Sequence, residues 1–221
     1  MKLEIHLEAV HVGKPRAIGR HRGHVVISAI DKKRINPAGE FVTVDRENID
    51  GDEQADLMVH GGPDKAIYAY PSEHLSRWAE ELGITLRPAF FGENLSTRGV
   101  TERTACIGDI WAWGEVRLQI SQPRSPCYKL ALHTGRADLP KRFIASGRTG
   151  WYLRIVEPGG APIDASIQLI ESHPAGLTVL DAHRATLSGG VPDEVVARLL
   201  TLDPLAASWK AMIQRRLTGA R

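Results

Sequence analysis

The stretch EVRLQISQPRSPCYKL, residues 115–130, joins two different local patterns. Its first half alternates apolar and polar residues, which is typical of a β-strand with one buried face. Its second half places Cys127 directly behind Pro126, in a turn that also carries Arg124 and Lys129. A buried cysteine usually lies among apolar residues, so the cationic surroundings of this cysteine point to a different role.

Similar short β-favouring runs recur along the first two-thirds of the chain, and Gly, Pro, Asn and Asp separate them. They cover residues 3–12, 23–30, 40–44, 65–70, 151–156 and 165–170. A single helix is predicted at 71–83, with Leu75, Trp78 and Leu82 on one face and Gly83 at its end. Many short strands closed by turns predict a mainly β protein, either a barrel or a sandwich.

After about residue 170 the pattern changes to three short helices, at 178–189, 191–203 and 203–219. We therefore predict a β domain at 1–170 and a small helical domain at 171–221. The last helix is expected to begin with Asp203 as N-cap and Pro204 in its first turn, and to end at Gly219. Its predicted apolar stripe consists of Leu205, Trp209, Met212 and Leu217.

Composition excludes several classes of protein. The chain has 221 residues and only two cysteines, without a CxxC pair, so it is not a secreted disulfide framework and the reducing cytosol is expected. The N-terminal residues do not resemble a signal peptide, and no apolar run is long enough to cross a membrane. The net charge of +2 gives no reason to expect nucleic acid binding. Glycine-rich nucleotide motifs and zinc-type His/Cys clusters are absent from the sequence.

Cys127 is the stronger candidate of the two cysteines for chemistry. Ser125 and Pro126 read as an N-cap and a first helical position, which would put Cys127 in the first turn of a short helix. Backbone N–H groups there, with Arg124 and Lys129 nearby, favour an ionised sulfur that can act as a nucleophile, a redox thiol or a soft metal ligand. An inert cysteine in a turn is an equal alternative on these grounds. Cys106, between alanine and isoleucine, is interpreted as a small core residue.

Two further segments could contribute to a site. In VHGGPDKA, residues 59–66, Gly61 and Gly62 after His60 could direct several N–H groups at an anion, although an ordinary turn fits equally well. In FFGENLS, residues 90–96, Asn94 offers a neutral hydrogen-bonding group. Glu93 could serve as an acid or base, but an exposed loop glutamate is the commoner case.

The order of four segments resembles a known family. DGDEQADLMVHGGPDKA at 50–66, FGENLSTRGVTE at 91–102, IGDIWAWGE at 107–115 and SQPRSPCYKL at 121–130 resemble a MOSC domain, the module named after the C-terminus of molybdenum cofactor sulfurase. SWKAMIQRRLTG at 208–219 resembles the three-helix appendage of the YiiM-like branch of that family. The likeness extends from residue 13 to the end of the chain.

The resemblance implies a MOSC-type β-barrel with a few helices, a molybdenum–pterin cofactor (molybdopterin), and Cys127 as the thiolate ligand of molybdenum. It also implies reduction of N-hydroxylated compounds such as hydroxylaminopurine bases. His60 or Lys129 would supply a proton, with His60 the better acid because of its ordinary pKa. The expected cofactor-binding residues are Arg124, Ser125, Gly61, Gly62, Asn94 and, more weakly, Lys33.

Partners follow from what the chain lacks. Because no flavin, nicotinamide or iron–sulfur motif is recognisable, an external electron donor is expected, namely a flavoprotein reductase. The helical domain could dock that donor, support a homodimer or simply pack on the barrel. A sulfur carrier with a persulfide on Cys127 is the alternative function. Cations on the last helix, Lys210, Arg215 and Arg216, are interpreted as a solvated face rather than a nucleic acid site.

Overall fold

The computed structural model of the chain describes residues 4–35, 41–55 and 61–219. The described strands are β1 (Glu4–Val12), β2 (Arg16–His21), β3 (His24–Ser28), β4 (Lys33–Arg34), β5 (Phe41–Val44), β6 (Ile67–Pro71), β7 (Leu95–Arg98), β8 (Ile110–Trp113), β9 (Val116–Pro123), β10 (Trp151–Glu157), β11 (Gly159–Pro162) and β12 (Ile167–Glu171). The helices are α1 (Glu73–Leu82), α2 (Tyr128–Thr134), α3 (Leu139–Ser146), α4 (Val179–His183), α5 (Asp193–Thr201) and α6 (Ala207–Thr218). A 3₁₀ turn covers Pro63–Lys65, and α4 continues as a π-helical turn over Arg184–Ser188.

Seven strands form a closed barrel in the order β12-β8-β9-β10-β6-β7-β1, and β1 pairs with β12 to close it. The β6–β7 pair is parallel and the other barrel pairs are antiparallel. Strand β4 extends the sheet beside β1, while β2–β3 and β5–β11 form separate two-stranded sheets. The predicted mainly β barrel with a C-terminal three-helix appendage is therefore confirmed.

The alternation read from the sequence places apolar side chains inside the barrel. On β9, Val116, Leu118 and Ile120 are fully buried, while the residues between them are partly exposed. Because successive side chains of a strand point to opposite faces, this register fills the barrel interior. The same apolar cluster continues into the helical domain through Trp209 and Ile213, so barrel and helices share one core.

Several local expectations hold. Helix α1 ends at Gly83, whose φ of 67° is the left-handed conformation that glycine tolerates, and Trp78 and Leu82 are buried as predicted. The last helix ends at Gly219 with φ of 64°. Helix α3, by contrast, was not predicted from the sequence.

Two helix starts were predicted wrongly. Helix α2 begins at Tyr128 with extended Cys127 as its N-cap, not at Ser125, because strand β9 keeps the chain extended up to Pro123. Helix α6 begins after Ala206 rather than Asp203, since the Ala206 amide donates to the Ser121 carbonyl at 3.1 Å and holds the chain against the barrel.

The predicted burial of Leu217 and the predicted exposure of Glu93 were also wrong. Leu217, predicted to lie in the apolar stripe of α6, is 60% exposed, and Ile213 takes the buried position instead. Glu93 is fully buried, not an exposed loop residue. Within the three described segments, no helix has both the length and the apolar character required to cross a membrane.

Candidate functional site

The candidate site is an open pocket between the start of α2, the end of β3 and the residues before the barrel strand β6. Its lining includes Cys127, the four cationic residues Lys32, Lys65, Arg124 and Lys129, and the carboxylates Asp52 and Glu53. Tyr68 and Tyr152 form part of its floor. Since cations outnumber carboxylates in this lining, the pocket suits an anionic ligand.

Strand β9 and helix α2 place Cys127 and Arg124 at this pocket. Cys127 is half-buried and lies between the end of the strand and the start of the helix. Its carbonyl accepts from the Leu130 amide at 3.0 Å. The backbone amide of Arg124 donates to the carbonyl of Gly150 at 3.2 Å. This bond fixes the end of β9 beside the start of β10. The sulfur and the guanidinium therefore line the same cavity.

Arg124 is a fixed cation in this pocket. Its Nη1 donates to the Phe91 carbonyl at 2.6 Å and to the Tyr68 hydroxyl at 3.2 Å, and its guanidinium lies 4.6 Å from the Tyr68 ring centroid. Burial alone would lower its pKa, but interactions with Tyr68, Tyr152 and Cys127 outweigh burial and raise it above the usual value. A cation held this way can bind a phosphate or pterin oxygen without titrating.

Lys32 and Asp52 form a buried ion pair in the pocket wall. Asp52 also accepts from the Gly13 amide at 2.7 Å and from Asn94 Nδ2 at 2.9 Å. Burial lowers the pKa of Lys32, while Asp52 and Glu93 act in the opposite direction. Sequence reasoning missed this pair, because its two members are 20 residues apart and neither has a distinctive local pattern.

Asn94 lies in the pocket lining, but the protein already uses its amide. Nδ2 donates to Asp52 and, at 3.1 Å, to the His11 carbonyl, and Oδ1 accepts from the Tyr68 amide at 3.1 Å. Such a saturated side chain positions its neighbours more readily than it binds a ligand. Asn94 is therefore a positioning residue for the Asp52–Lys32 pair in this structure.

Glu93 supports the pocket from beneath. Its carboxylate accepts from the amides of Ala89 at 2.6 Å and Phe91 at 3.2 Å, and from Ser96 Oγ at 3.1 Å. Burial raises its pKa, and these hydrogen bonds act against that rise. The Phe91 carbonyl that binds Arg124 is thereby held in place by Glu93.

The other predicted site residues are distributed unevenly. Ser125 and Lys129 line the pocket, Ser125 exposed and Lys129 largely buried. Gly61 and Gly62 precede the 3₁₀ turn that delivers Lys65 to the pocket, but they are not in its lining. Lys33 is exposed on β4, outside the pocket, whereas its neighbour Lys32 is inside.

His60 lies outside the described residues, so its predicted role stays a prediction. Among the residues that the structure describes, no group of three or more His, Cys, Asp or Glu side chains is arranged to hold a metal ion. Cys127 is then the soft ligand that the pocket offers.

Cys106 lies away from this pocket, where the barrel meets the helical domain. Its amide donates to Asp109 Oδ2 at 3.0 Å, and it pairs with Thr178 as an isolated β-bridge. Burial, with Asp109 and Asp181 nearby, raises the pKa of its thiol to about 11. Cys106 is therefore a protonated, structural cysteine near neutral pH.

Comparison with known proteins gives the family. Residues 56–168 match the MOSC domain model, and residues 177–220 match the model described as YiiM-like, 3-alpha helix domain. The chain belongs to the MOSC domain family, which is related to the C-terminal domain of molybdenum cofactor sulfurase and is associated with molybdenum cofactor binding.

Individual relatives agree with this assignment. The protein YiiM of Escherichia coli is 38% identical over 218 residues, which cover 96% of this chain and 90% of that protein. The crystal structure of YiiM from Geobacillus stearothermophilus, 31% identical, superposes with a TM-score of 0.79 over 96% of this chain and 99% of that chain. A Gibberella moniliformis protein named Reductase is 31% identical over 77% of this chain, a match that spans 31% of the fungal protein.

Proposed function

We propose that this protein is a molybdenum-cofactor-dependent reductase of N-hydroxylated compounds, such as hydroxylamines and hydroxylaminopurine bases. The single observation that carries the proposal is that Cys127 shares one pocket with four cationic side chains, Lys32, Lys65, Arg124 and Lys129. A soft sulfur ligand and an excess of positive charge are together what a dianionic dithiolene with a phosphate tail requires.

The residues present fit this cofactor. The pocket is open to solvent, and the buried Arg124 offers a permanent cation beside the sulfur. When bound, the molybdenum cofactor supplies two-electron redox chemistry at a metal that accepts oxygen. Cys127 would be the protein's ligand to that metal, and Arg124 with Lys32 would hold the anionic part of the cofactor.

The protein's own groups divide the remaining work. Tyr68 donates its hydroxyl proton to the Thr149 carbonyl at 2.8 Å, and burial raises its pKa above the usual value, so it stays neutral and orients Arg124. Arg124 does not release its proton near neutral pH. Lys129, in the pocket lining, and His60 remain the candidates for delivering a proton to the departing oxygen.

The overall reaction fixes what must be supplied from outside. Reduction of R–NH–OH to R–NH₂ breaks one N–O bond, consumes two electrons and two protons, and releases water. We propose that a separate flavoprotein reductase delivers the electrons. The reaction would take place in the reducing cytosol, where a cysteine ligand is not oxidised to a disulfide. The fungal relative supports a reductase role, because that protein is named Reductase.

The test is reconstitution of the purified protein with molybdenum cofactor, followed by an assay with a chemical reductant and hydroxylaminopurine. Cys127→Ala should lose stoichiometric molybdenum and reduce turnover at least about a hundredfold, since it removes the metal's protein ligand. Cys106→Ala is the matched control and should keep both. An active, molybdenum-loaded Cys127→Ala protein would disprove the assignment.

The same preparation distinguishes the sulfur-carrier alternative. The cationic pocket around Cys127 would also stabilise a persulfide anion, so that function shares the site. Labile sulfane sulfur on Cys127, without molybdenum binding or reductase activity, would favour the carrier and exclude the reductase.

A further inference from the structure

Strands β2 and β3 form a hairpin beside the pocket, here called the rim hairpin (residues 16–28). In its register Arg20 lies opposite Val25 and Ala17 lies opposite Ile27. Directly opposed residues share a face of the sheet, so these four side chains form one face. Val25 and Ile27 are 53% and 46% exposed, which shows that this face is turned to solvent.

The opposite face of the rim hairpin packs on the helix that carries the pocket cysteine. His21 stacks on Tyr128 with ring centroids 4.3 Å apart, and a Cβ at Gly19 would lie 3.6 Å from Leu132 of α2. Tyr128 directly follows Cys127 in the chain. The hairpin is therefore fixed at the mouth of the pocket, next to the proposed metal ligand.

The end of β3 makes this connection tighter. Ser28, the last residue of the strand, and Ala29 after it both line the pocket, and Lys32 follows in the same wall. A molecule seated on the outer face of the rim hairpin would thus adjoin the pocket wall.

The charged residues of this segment are all cationic. Residues 9–30 contain Lys14, Arg16, Arg20 and Arg22 and no acidic residue. Lys14 pairs with Glu53, and Arg16 pairs with Asp31. Arg20 instead donates to the carbonyl of Gly23 in its own turn, at 2.9 Å, so its charge is not neutralised by that contact. Arg22 is exposed at the tip of the turn.

We infer that the rim hairpin is the docking surface for an acidic electron-donor protein. The inference rests on the proposed function. A reductase whose sequence has no recognisable flavin, nicotinamide or iron–sulfur motif must receive its electrons from another molecule near its pocket. Exposed aliphatic side chains flanked by cations suit a protein with an acidic rim around an apolar patch. A single-stranded nucleic acid would instead use exposed aromatic platforms, and the Tyr128 ring is already stacked on His21.

The experiment compares two reductants on the cofactor-loaded protein with hydroxylaminopurine as substrate. Photoreduced lumiflavin is small, needs no protein docking surface, and supplies the two electrons that cleavage of each N–O bond consumes. Photoreduced flavodoxin, a small acidic flavoprotein, delivers the same electrons but must dock. The flavodoxin-driven rate of the wild type should fall as salt rises, while the lumiflavin-driven rate should not.

The variants separate charge from apolar contact. Arg20→Glu/Arg22→Glu should lower the flavodoxin-driven kcat/KM by about tenfold or more, and Val25→Ser/Ile27→Ser by a smaller factor, with lumiflavin-driven turnover unchanged. Arg215→Glu and Leu217→Ser, an exposed cation and an exposed leucine on α6, are the matched controls and should leave both rates unchanged.

Each other outcome has a definite meaning. Equal flavodoxin-driven rates in wild type and hairpin variants, or wild-type turnover with lumiflavin but not with flavodoxin, would overturn the inference. A loss of both rates, or a change in oligomeric state measured by light scattering, would also overturn it, in favour of a structural or self-association role. Absence of wild-type turnover with lumiflavin would instead refute the proposed function itself.

Discussion

The pocket region around Cys127 and the junction region around Cys106 bury comparable groups in opposite ways. Each region contains one cysteine and one buried aspartate, Asp52 in the pocket region and Asp109 in the junction region. In the pocket region the carboxylate faces a buried lysine. In the junction region the carboxylate accepts backbone amides and lies beside the cysteine.

The consequence is clearest for the cysteines. Burial of Cys106, with the carboxylates of Asp109 and Asp181 nearby, raises the thiol pKa to about 11, so that sulfur is kept protonated. Cys127 instead shares its pocket with Arg124, whose own pKa is raised partly by that sulfur. The residue type is the same, but Cys106 has carboxylates nearby and Cys127 shares its pocket with cations.

The buried aspartates give the largest expected effect. Asp52→Ala should lower the free energy of unfolding by roughly 3–5 kcal/mol, because the buried Lys32 ammonium would lose its counterion and the Gly13 amide its acceptor. Asp109→Ala removes acceptors of the Cys106 and His173 amides and should cost roughly 2–3 kcal/mol. Urea denaturation of the two variants measures the difference.

A double variant sharpens this comparison. Asp52→Ala/Lys32→Met should recover much of the lost stability, since no charge stays buried without its partner. The same variant should still bind cofactor more weakly than the wild type. If the double variant is as unstable as Asp52→Ala alone, the ion pair is not the cause of the loss.

The next effect concerns acid stability. His11 lies behind Asn94 in the pocket region, and burial lowers its pKa from 6.5 to about 4, with Arg34 and Lys32 adding to the decrease. Between pH 6.5 and about 4, His11 therefore binds a proton in the unfolded chain but not in the folded protein. The stabilisation is complete above pH 6.5 and is lost as pH falls toward 4, by roughly 3 kcal/mol.

Unfolding free energies measured between pH 7 and 4 check this expectation. His11→Gln should flatten the slope below pH 6.5, because glutamine does not titrate. His6→Gln, at an exposed position of the same strand, should keep it. An unchanged slope in His11→Gln would assign the acid loss to another group.

The smallest effect is a rate of thiol labelling in the junction region. In Cys127→Ala, iodoacetamide should modify the remaining Cys106 slowly at pH 7, and the rate should rise about tenfold per pH unit up to about 11. Mass spectrometry of pH-jumped samples follows the reaction. Rapid labelling at pH 7 would mean that the two regions do not differ as described.

Much of the fold could be predicted from local pattern. Period-two alternation located strands such as β9 and β10, and Gly83 and Gly219 correctly marked helix ends. The starts of α2 and α6 could not be predicted, because hydrogen bonds to distant strands override the local preference of Ser125 and Asp203 for capping. Position along the chain carries no information on such partners.

The candidate site shows the same division. Cys127, Arg124 and Lys129 are close in sequence, and their unusual composition identified them. Lys32 and Asp52 join them only through tertiary structure. Glu93 was expected to be an exposed loop residue, and only the structure shows that this loop residue is buried and accepts hydrogen bonds. Lys33 and Lys32 could not be distinguished by sequence, since the two-residue strand β4 gives no periodicity.

The sequence by itself determined a mainly β domain, the helical appendage and the cysteine with cationic neighbours, because these depend on period, turn residues and adjacency. Its patterns left a barrel and a sandwich open, and only the family resemblance favoured the barrel. Tertiary structure alone decided which charges are buried, which cations share a cavity with Cys127, and which face of the rim hairpin stays open. These features depend on contacts between residues tens of positions apart, whose energies arise only once the closed barrel has excluded water.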